Sequence, residues 1–167
     1  GTEPVDGVLS LQGQLRAHGV AGGGTLDLQT ARVLIGGAPD APAEPGTLRL
    51  DSDFFTQGFS AYKVVGEHGT TVADGAQVEA RMPVFRLVAG AKDLPTGSPS
   101  SAALEVWTPP LYQEDPTAGV LTRRAGASLT LQAGDADTTA SSTTLLIGRD
   151  ARVAVDPGQS IALRSAG

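Results

Sequence analysis

One short unit recurs along the chain: a small or turn residue, followed by two apolar residues that stand two positions apart. Apolar residues with this spacing lie on the same face of a β-strand, because successive side chains alternate between faces. The unit therefore predicts strands with one buried face. It occurs at residues 7–13, 23–30, 46–52, 127–134, 144–150, 151–158 and 159–167. The residues predicted to form the buried core are Leu26, Leu28, Leu48, Leu50, Leu129, Leu131, Ile147, Val153, Val155, Ile161 and Leu163.

Turn residues separate these units closely, so each strand is predicted to span only about three to five residues. Helical patterning is nearly missing, because Gly and Pro interrupt almost every longer window. The unit returns from Leu9 to Leu26 to Leu48, at intervals of about 17 to 22 residues. Such spacing favours an all-β solenoid, that is, a parallel β-helix of stacked coils, and the alternative is a β-sandwich or jelly roll. A stack of this kind has unpaired edges at its ends, which predicts weak end-to-end self-association.

An internal match supports the repeat. Residues 71–80 (TVADGAQVEA) align without gaps onto residues 146–155 (LIGRDARVAV). The alignment places Val72 on Ile147, Ala76 on Ala151 and Val78 on Val153. Stacked coils would bring such equivalent positions next to each other.

The length of 167 residues predicts a single domain over residues 1–167. Two segments interrupt the strand pattern. Residues 38–46 (APDAPAEPG) form a proline-rich excursion that is poorly suited to a strand ladder. Residues 90–119 form a longer loop insertion, which contains Trp107 and Tyr112, and this insertion is the best candidate for a surface feature.

Composition excludes several classes of function. The net charge of −6 argues against binding of nucleic acid, and the one adjacent basic pair, Arg123 and Arg124, is interpreted as part of a solvated loop. Cysteine is absent, which excludes thiol catalysis and cysteine-based metal sites. No apolar run approaches the ~18 residues of a membrane-spanning helix. No cofactor is expected.

Three consecutive glycines, Gly22, Gly23 and Gly24, stand before the alternating residues Leu26, Asp27 and Leu28. A dinucleotide-binding loop leads from a strand into a helix, whereas these glycines lead into a strand. They are therefore interpreted as a corner followed by a strand.

Two pairs of carboxylates were considered as catalytic or metal-binding groups. Asp51 and Asp53 could act as the paired acids of a glycosidase. They stand at odd-numbered positions, whereas the inward apolar residues of the preceding strand stand at even-numbered positions. Because side chains of a strand alternate between faces, both aspartates are predicted to point outward into solvent. Asp135 and Asp137 lie in a small polar segment that offers few further oxygen ligands for calcium. Neither a catalytic residue nor a metal site is predicted.

The two histidines, His18 and His68, each precede a glycine and are interpreted as exposed loop residues. A nucleophilic triad would also need an oriented acid and a G-x-S-x-G elbow, which the sequence lacks. Aromatic side chains could instead form a ligand or partner surface, since rings offer apolar area for stacking on sugars. The candidate surface residues are Trp107, Tyr112, Phe54, Phe55 and Phe59.

Three segments carry a resemblance to a known family: FFTQGFSAY (54–62), WTPPLYQEDP (107–116) and VDPGQSIAL (155–163). Together with the strand units, residues 20–167 resemble the large bacterial exoproteins of the filamentous haemagglutinin type. The part that is matched resembles the repetitive shaft of these proteins.

This resemblance implies a right-handed parallel β-helix. It also implies a secreted or cell-surface protein that is exported by two-partner secretion with an outer-membrane transporter. The implied role is adhesion, aggregation or contact-dependent competition, with a host or bacterial surface receptor or glycan as partner. The expected function is thus a structural, non-enzymatic shaft segment. The alternatives are a carbohydrate-binding module that uses the aromatic insertion and a polysaccharide-cleaving β-helix enzyme.

Overall fold

The computed structural model describes residues 9–20, 22–110, 112–115, 117–123, 125–134 and 143–166. This part of the chain is mostly β, with one short α-helix and two 3₁₀ helices, at Ser52–Thr56 and Ala91–Asp93. The strands and the helix are β1 (Thr25–Ile35), β2 (Thr47–Leu50), β3 (Ala61–Val72), β4 (Gln77–Ala80), β5 (Val84–Leu87), α1 (Ser100–Ala103), β6 (Leu104–Trp107), β7 (Tyr112–Asp115), β8 (Val120–Arg123), β9 (Ser128–Ala133), β10 (Thr144–Ile147), β11 (Arg152–Val155) and β12 (Ile161–Ser165).

The main sheet has six strands, and every pairing in it is parallel. Its order is β12-β9-β3-β1-β2, and β10 pairs with the second half of β3 while β9 pairs with the first half. A second parallel pair joins β4 to β11. The all-β class is therefore confirmed, and most of the strand pairings are parallel.

The long strands β1 and β3 differ from the prediction of strands of three to five residues, since they span 11 and 12 residues. The register between them shifts between Thr30 and Arg32, as at a β-bulge. The chain also returns to a neighbouring position after longer intervals than predicted. Asp27 lies beside Lys63, 36 positions later, and Ser128 bonds Ser160, 32 positions later.

The parallel register lines up apolar side chains in columns across the sheet. One column contains Leu28, Val64, Leu131 and Leu163, and its neighbour contains Leu26, Tyr62, Leu129 and Ile161. These columns face the core, where Tyr62, Val64, Leu129 and Leu131 are almost completely inaccessible to solvent. Polar residues take the alternate outward positions, as shown by the ion pair between Lys63 and Asp27 at 3.1 Å. The pattern of period two thus gives the sheet one buried face.

The internal sequence match corresponds to physical neighbours. Val72 pairs with Ile147 and Val78 pairs with Val153, as the alignment predicts. The turns between these strands also lie together: the Arg149 N–H donates to the Asp74 carboxylate at 2.8 Å, and the Gly75 N–H donates to the Arg149 carbonyl at 2.8 Å. The repeated sequence therefore builds two copies of one turn, placed side by side.

Most predicted core residues lie inside, and two do not. Ile161 and Leu163 remain 42% and 50% exposed, because β12 is the last strand of the sheet and only β9 pairs with it in the described part of the chain. Their side chains continue the two apolar columns, and among the described residues no further strand packs beyond them. The predicted residues that are buried are Leu28, Leu48, Leu50, Leu129 and Leu131, and those that are half-buried are Leu26, Ile147, Val153 and Val155.

The long insertion leaves the parallel arrangement at β5 and returns after β8, which is wider than the predicted bounds of 90–119. It contains two antiparallel pairs, β5 with β6 and β7 with β8. The proline-rich excursion at 38–46 connects β1 to β2. Arg32 forms an ion pair with Glu44 at 2.7 Å, and the Arg49 guanidinium donates to the carbonyls of Ala38 and Ala41. Side chains of the sheet thus hold this loop in place.

Candidate functional site

An aromatic cluster forms where the chain turns from β2 into β3. The 3₁₀ helix that follows β2 points Phe55 into the core, where it is fully buried. Phe55 contacts Phe54 and Tyr62 edge to face, with ring centroids 5.4 Å apart in both pairs, and Phe59 contacts Tyr62 at 5.5 Å. Phe55 is therefore a core residue, and its assignment to a ligand surface is wrong. Phe54 and Phe59 are half-buried beside it.

Tyr62 is the polar member of this cluster. Its hydroxyl oxygen accepts a hydrogen bond from the Gln57 N–H at 2.9 Å. Burial raises the pKa of the Tyr62 hydroxyl. The hydroxyl thus stabilises the turn that leads into β3, and it is not exposed to solvent as a proton donor would be.

A groove of about 230 Å³ runs beside the same 3₁₀ helix. Asp51 and Asp53 are both exposed along it, in agreement with their predicted outward direction. The reason is not the predicted strand parity, since Asp53 lies in the 3₁₀ helix and only Asp51 directly follows β2. The remaining lining residues are Leu11, Gly13, Gln14, Leu15, Arg49, Leu50, Phe54 and Gln57.

Trp107 lies at the end of β6 and packs partly against the core. The Arg86 guanidinium covers its ring at 4.5 Å from the centroid, and the same guanidinium binds Glu105 at 2.7 Å. This arrangement is a cation–π contact fixed by an ion pair. One face of the indole is therefore already occupied by a side chain of the protein.

Tyr112 lies on β7, in the other antiparallel pair of the insertion, and is 52% exposed. The structure places Trp107 and Tyr112 on different strand pairs, and Phe54 and Phe59 at the base of β3. The five aromatic residues named from the sequence thus do not form one continuous surface.

The histidines are half-buried, which differs from their predicted exposure. The His18 ring packs against Phe85 with centroids 5.3 Å apart. Burial lowers the pKa of His18, and the nearby Arg16 lowers it further. His68 lies on β3 where its register with β1 shifts, and its carbonyl accepts a hydrogen bond from Arg32 at 3.2 Å.

A wider groove of about 390 Å³ lies between the proline-rich loop and the second halves of β1 and β3. The ion pair of Arg32 with Glu44 bridges it, since Arg32 belongs to β1 and Glu44 to the loop. The charged groups in this groove are thus used to attach the loop to the sheet.

The sequence prediction missed the structural role of Asp156. Its side chain is buried, and one carboxylate oxygen accepts hydrogen bonds from the Met82 N–H at 2.9 Å and the Ala127 N–H at 3.0 Å. These two residues stand just before and just after the insertion. Gly126 is required at the same place, because a Cβ there would lie 2.5 Å from the Asp156 Cβ. The segment VDPGQSIAL contains this aspartate, but its partners are distant in sequence.

In the described residues, no three His, Cys, Asp or Glu side chains stand close enough together to hold a metal ion. Asp135, Asp137 and Arg124 lie outside the described residues, and so does the Arg123 side chain. No helix in this part of the chain has the length and apolar character needed to cross a membrane.

The chain was compared with protein-family models, with curated proteins and with solved structures. None of them matches it. Across the described residues, the buried polar side chains Tyr62, Thr70 and Asp156 bind backbone groups of the protein itself, whereas the buried hydroxyl of Thr30 has no hydrogen-bond partner. The hydrogen bonds of Tyr62, Thr70 and Asp156 stabilise the fold.

Proposed function

We propose that the chain is a structural, non-enzymatic shaft segment of a secreted or surface-exposed bacterial exoprotein of the filamentous haemagglutinin type. In this proposal the chain folds as a right-handed parallel β-helix with a long insertion. Its role is to hold adhesive or effector parts of a larger protein away from the cell. Export would use an outer-membrane transporter, as the resemblance of residues 54–62, 107–116 and 155–163 implies.

One observation carries this proposal: strands that are distant in sequence stack in parallel and in register. Four strands contribute to each of the two apolar columns, and the turns at Gly75 and Asp150 lie side by side. A coil cannot bury its own inward residues, so each coil is stabilised by its neighbours. Parallel strands joined by crossover connections are nearly always right-handed, which supports the proposed hand.

A shaft needs stiffness and little surface chemistry. The columns supply stiffness, because bending the stack would open contacts between close-packed side chains. The absence of cysteine suits a chain that crosses an outer membrane before it folds.

The biological part of the proposal can be tested in the source bacterium. Antibodies against the folded chain should label intact cells or the culture medium, and deletion of a transporter gene adjacent to the coding sequence should abolish labelling. Antibody access to a cytoplasmic control protein must stay absent in the same cells. A product that is found only in the cytoplasm would contradict the proposal.

A carbohydrate-binding role is the second candidate, and the groove beside Phe54 favours it. The exposed carboxylates of Asp51 and Asp53 and the amides of Gln14 and Gln57 could bind sugar hydroxyls next to an aromatic ring. A glycan array tests this role with the Phe54→Ala variant as control. Binding that is lost in the variant would support it, and an array without hits would remove it.

The third candidate, a polysaccharide-cleaving enzyme, would use the same two carboxylates. If the chain cleaves a polysaccharide, the Asp51→Asn and Asp53→Asn variants should each lose that activity. An unchanged rate in both variants would eliminate these acids as a catalytic pair.

A further inference from the structure

The Asp74–Gly75 bond belongs to a chemically reactive type. Glycine has no side chain, so the backbone nitrogen that follows an aspartate can approach the carboxyl group of that aspartate closely. The sequence has two such bonds, and the other, Asp6–Gly7, lies outside the described residues. Asp74 and Gly75 are both exposed, so burial does not keep water away from this bond.

The reaction at such a bond is an isomerisation that needs only water. The Gly75 nitrogen bonds to Cγ of the protonated Asp74 carboxyl group, and the carboxyl hydroxyl leaves with the amide proton as water. The product is a five-membered imide, and water then adds to one of its two carbonyl carbons. Opening at the side-chain carbonyl restores aspartate. Opening at the main-chain carbonyl gives isoaspartate, in which the main chain passes through the former side chain.

One residue of the neighbouring turn holds both reacting groups. The Arg149 N–H donates to Asp74 Oδ1 at 2.8 Å, and the Gly75 N–H donates to the Arg149 carbonyl oxygen at 2.8 Å. A backbone amide that donates a hydrogen bond gives up its proton only when that bond opens. The Gly75 bond therefore has to open before the imide can form, and the Asp74 bond restricts rotation of the carboxyl group.

Neighbouring strands on both sides hold the turn that contains Asp74. The Ala73 N–H donates to the Ile35 carbonyl at 2.9 Å, and the Gly148 N–H donates to the Val72 carbonyl at 2.9 Å. A Cβ on Gly148 would lie 2.5 Å from both the nitrogen and Oδ1 of Asp74. The two turns are thus in direct contact, and there is no space between them for a side chain.

We infer that Asp74 is a guarded isoaspartate site, which reacts only when its turn separates from the turn that contains Arg149. Isoaspartate adds one carbon to the main chain at residue 74. This displaces Gly75, so the two bonds to Arg149 cannot both form again. A turn that has opened and reacted is therefore marked permanently. The inference depends on the contacts between the turns and not on the secreted role proposed above.

The tryptic fragment 64–81 is the reference without the stack. It contains Asp74 as its single aspartate, and the chain has no asparagine, so isoaspartate in this fragment comes from residue 74. The intact chain and the isolated fragment are incubated side by side at neutral pH, and the intact chain is digested only afterwards. Protein L-isoaspartyl methyltransferase then transfers a labelled methyl group from S-adenosylmethionine to the isoaspartate in each fragment sample.

We expect isoaspartate to form at least about five-fold more slowly in the folded chain than in the fragment. Two hydrogen bonds must open in the folded chain, and their net free energy provides at least this factor. Amide hydrogen exchange gives a second measurement, since the Gly75 N–H should be protected in the folded chain.

Two variants separate loss of the turn contact from loss of overall stability. In Gly148→Ala, the added Cβ forces the two turns apart without changing the Asp74–Gly75 bond, so the rate in the folded chain should rise at least about three-fold. Leu131→Ala is the control, because Leu131 is buried beside Val64 on another part of the sheet. It should change the rate by less than about two-fold. Urea melts must show that both variants are folded during the incubation.

Two results would overturn the inference. The first is an equal rate in the folded wild-type chain and in the fragment, and this comparison is decisive even if Gly148→Ala does not fold. The second is an acceleration by Leu131→Ala as large as that by Gly148→Ala, because global unfolding would then control the reaction.

Discussion

Gly75 and Asp150 occupy the same position in two neighbouring turns, and both have left-handed backbone conformations, with φ of 69° and 57°. They stand 75 positions apart in the sequence, at the offset of the internal match between residues 71–80 and 146–155. The two copies of the repeat thus share a backbone conformation at this position, although the residue type differs. Aspartate is one of the few residues besides glycine that adopt this conformation readily.

We expect Gly75→Ala to lower the free energy of unfolding by about 1 kcal/mol, because the left-handed backbone conformation is sterically unfavourable for alanine. No atom would clash with the added Cβ, so the cost is conformational. Gly75→Asp should cost less than Gly75→Ala, as the residue at the equivalent position indicates. Urea denaturation measures both. Gly24→Ala is the control: its added Cβ also meets no atom and its φ is ordinary, so the change should stay within about 0.5 kcal/mol.

Leu131 and Leu163 belong to one column but differ in burial, with exposures of 0% and 50%. Leu131→Ala should cost about 2 to 5 kcal/mol, since it leaves a cavity inside the stack. Leu163→Ala should cost less than half as much, because the site is open to solvent. Chemical denaturation of both variants gives the comparison. Equal costs would contradict the difference in burial between Leu131 and Leu163.

Asp156 is expected to be one of the most sensitive polar positions. Asp156→Ala leaves the N–H groups of Met82 and Ala127 without their acceptor, and should cost about 2 to 4 kcal/mol. Asp156→Asn keeps an acceptor oxygen and should cost less. The exposed Asp40 provides the control, and Asp40→Ala should change stability by no more than about 0.5 kcal/mol. A small effect of Asp156→Ala in urea melts would mean that the base of the insertion is held by other contacts.

His18 should make stability dependent on pH. Its pKa is lowered in the folded chain, chiefly by burial, so the unfolded chain binds a proton more readily. The contribution of neutral His18 is therefore fully present above the ordinary pKa of 6.5 and is lost as the pH falls from that value through the lower pKa of the folded chain. Wild-type chain should lose more stability than His18→Gln between pH 7.5 and pH 5.5. Parallel urea melts at the two values measure this, and identical losses would contradict the assignment.

Several features could be predicted from local sequence. The alternation around Leu28, Leu48 and Leu131 indicates which side chains face inward, because one-sided burial follows from period two. The match between residues 71–80 and 146–155 also identified neighbours correctly, since stacked turns require similar residues.

Other features depend on contacts that are distant in sequence. The β1 strand pairs with β2 on one side and with β3 on the other, and nothing local to residues 25–35 specifies either partner. The inward direction of Phe55 follows from the 3₁₀ helix, which interrupts the strand pattern that the prediction used. The exposure of Ile161 arises from the position of β12 at the edge, and the sequence of this strand resembles that of a central one. The role of Asp156 required knowledge of its partners, Met82 and Ala127.

The shared attachment of Met82 and Ala127 to one carboxylate has a consequence for how this protein can change. The chain leaves the parallel strands after β4 and rejoins them at β9, and Asp156 holds these two points together. The segment between them therefore does not set the register of the strands that follow. The intervening segment can lengthen, shorten or be exchanged for an unrelated module while β9 keeps its place beside β3. A surface segment inserted between Met82 and Ala127 would therefore leave the stacked strands in place.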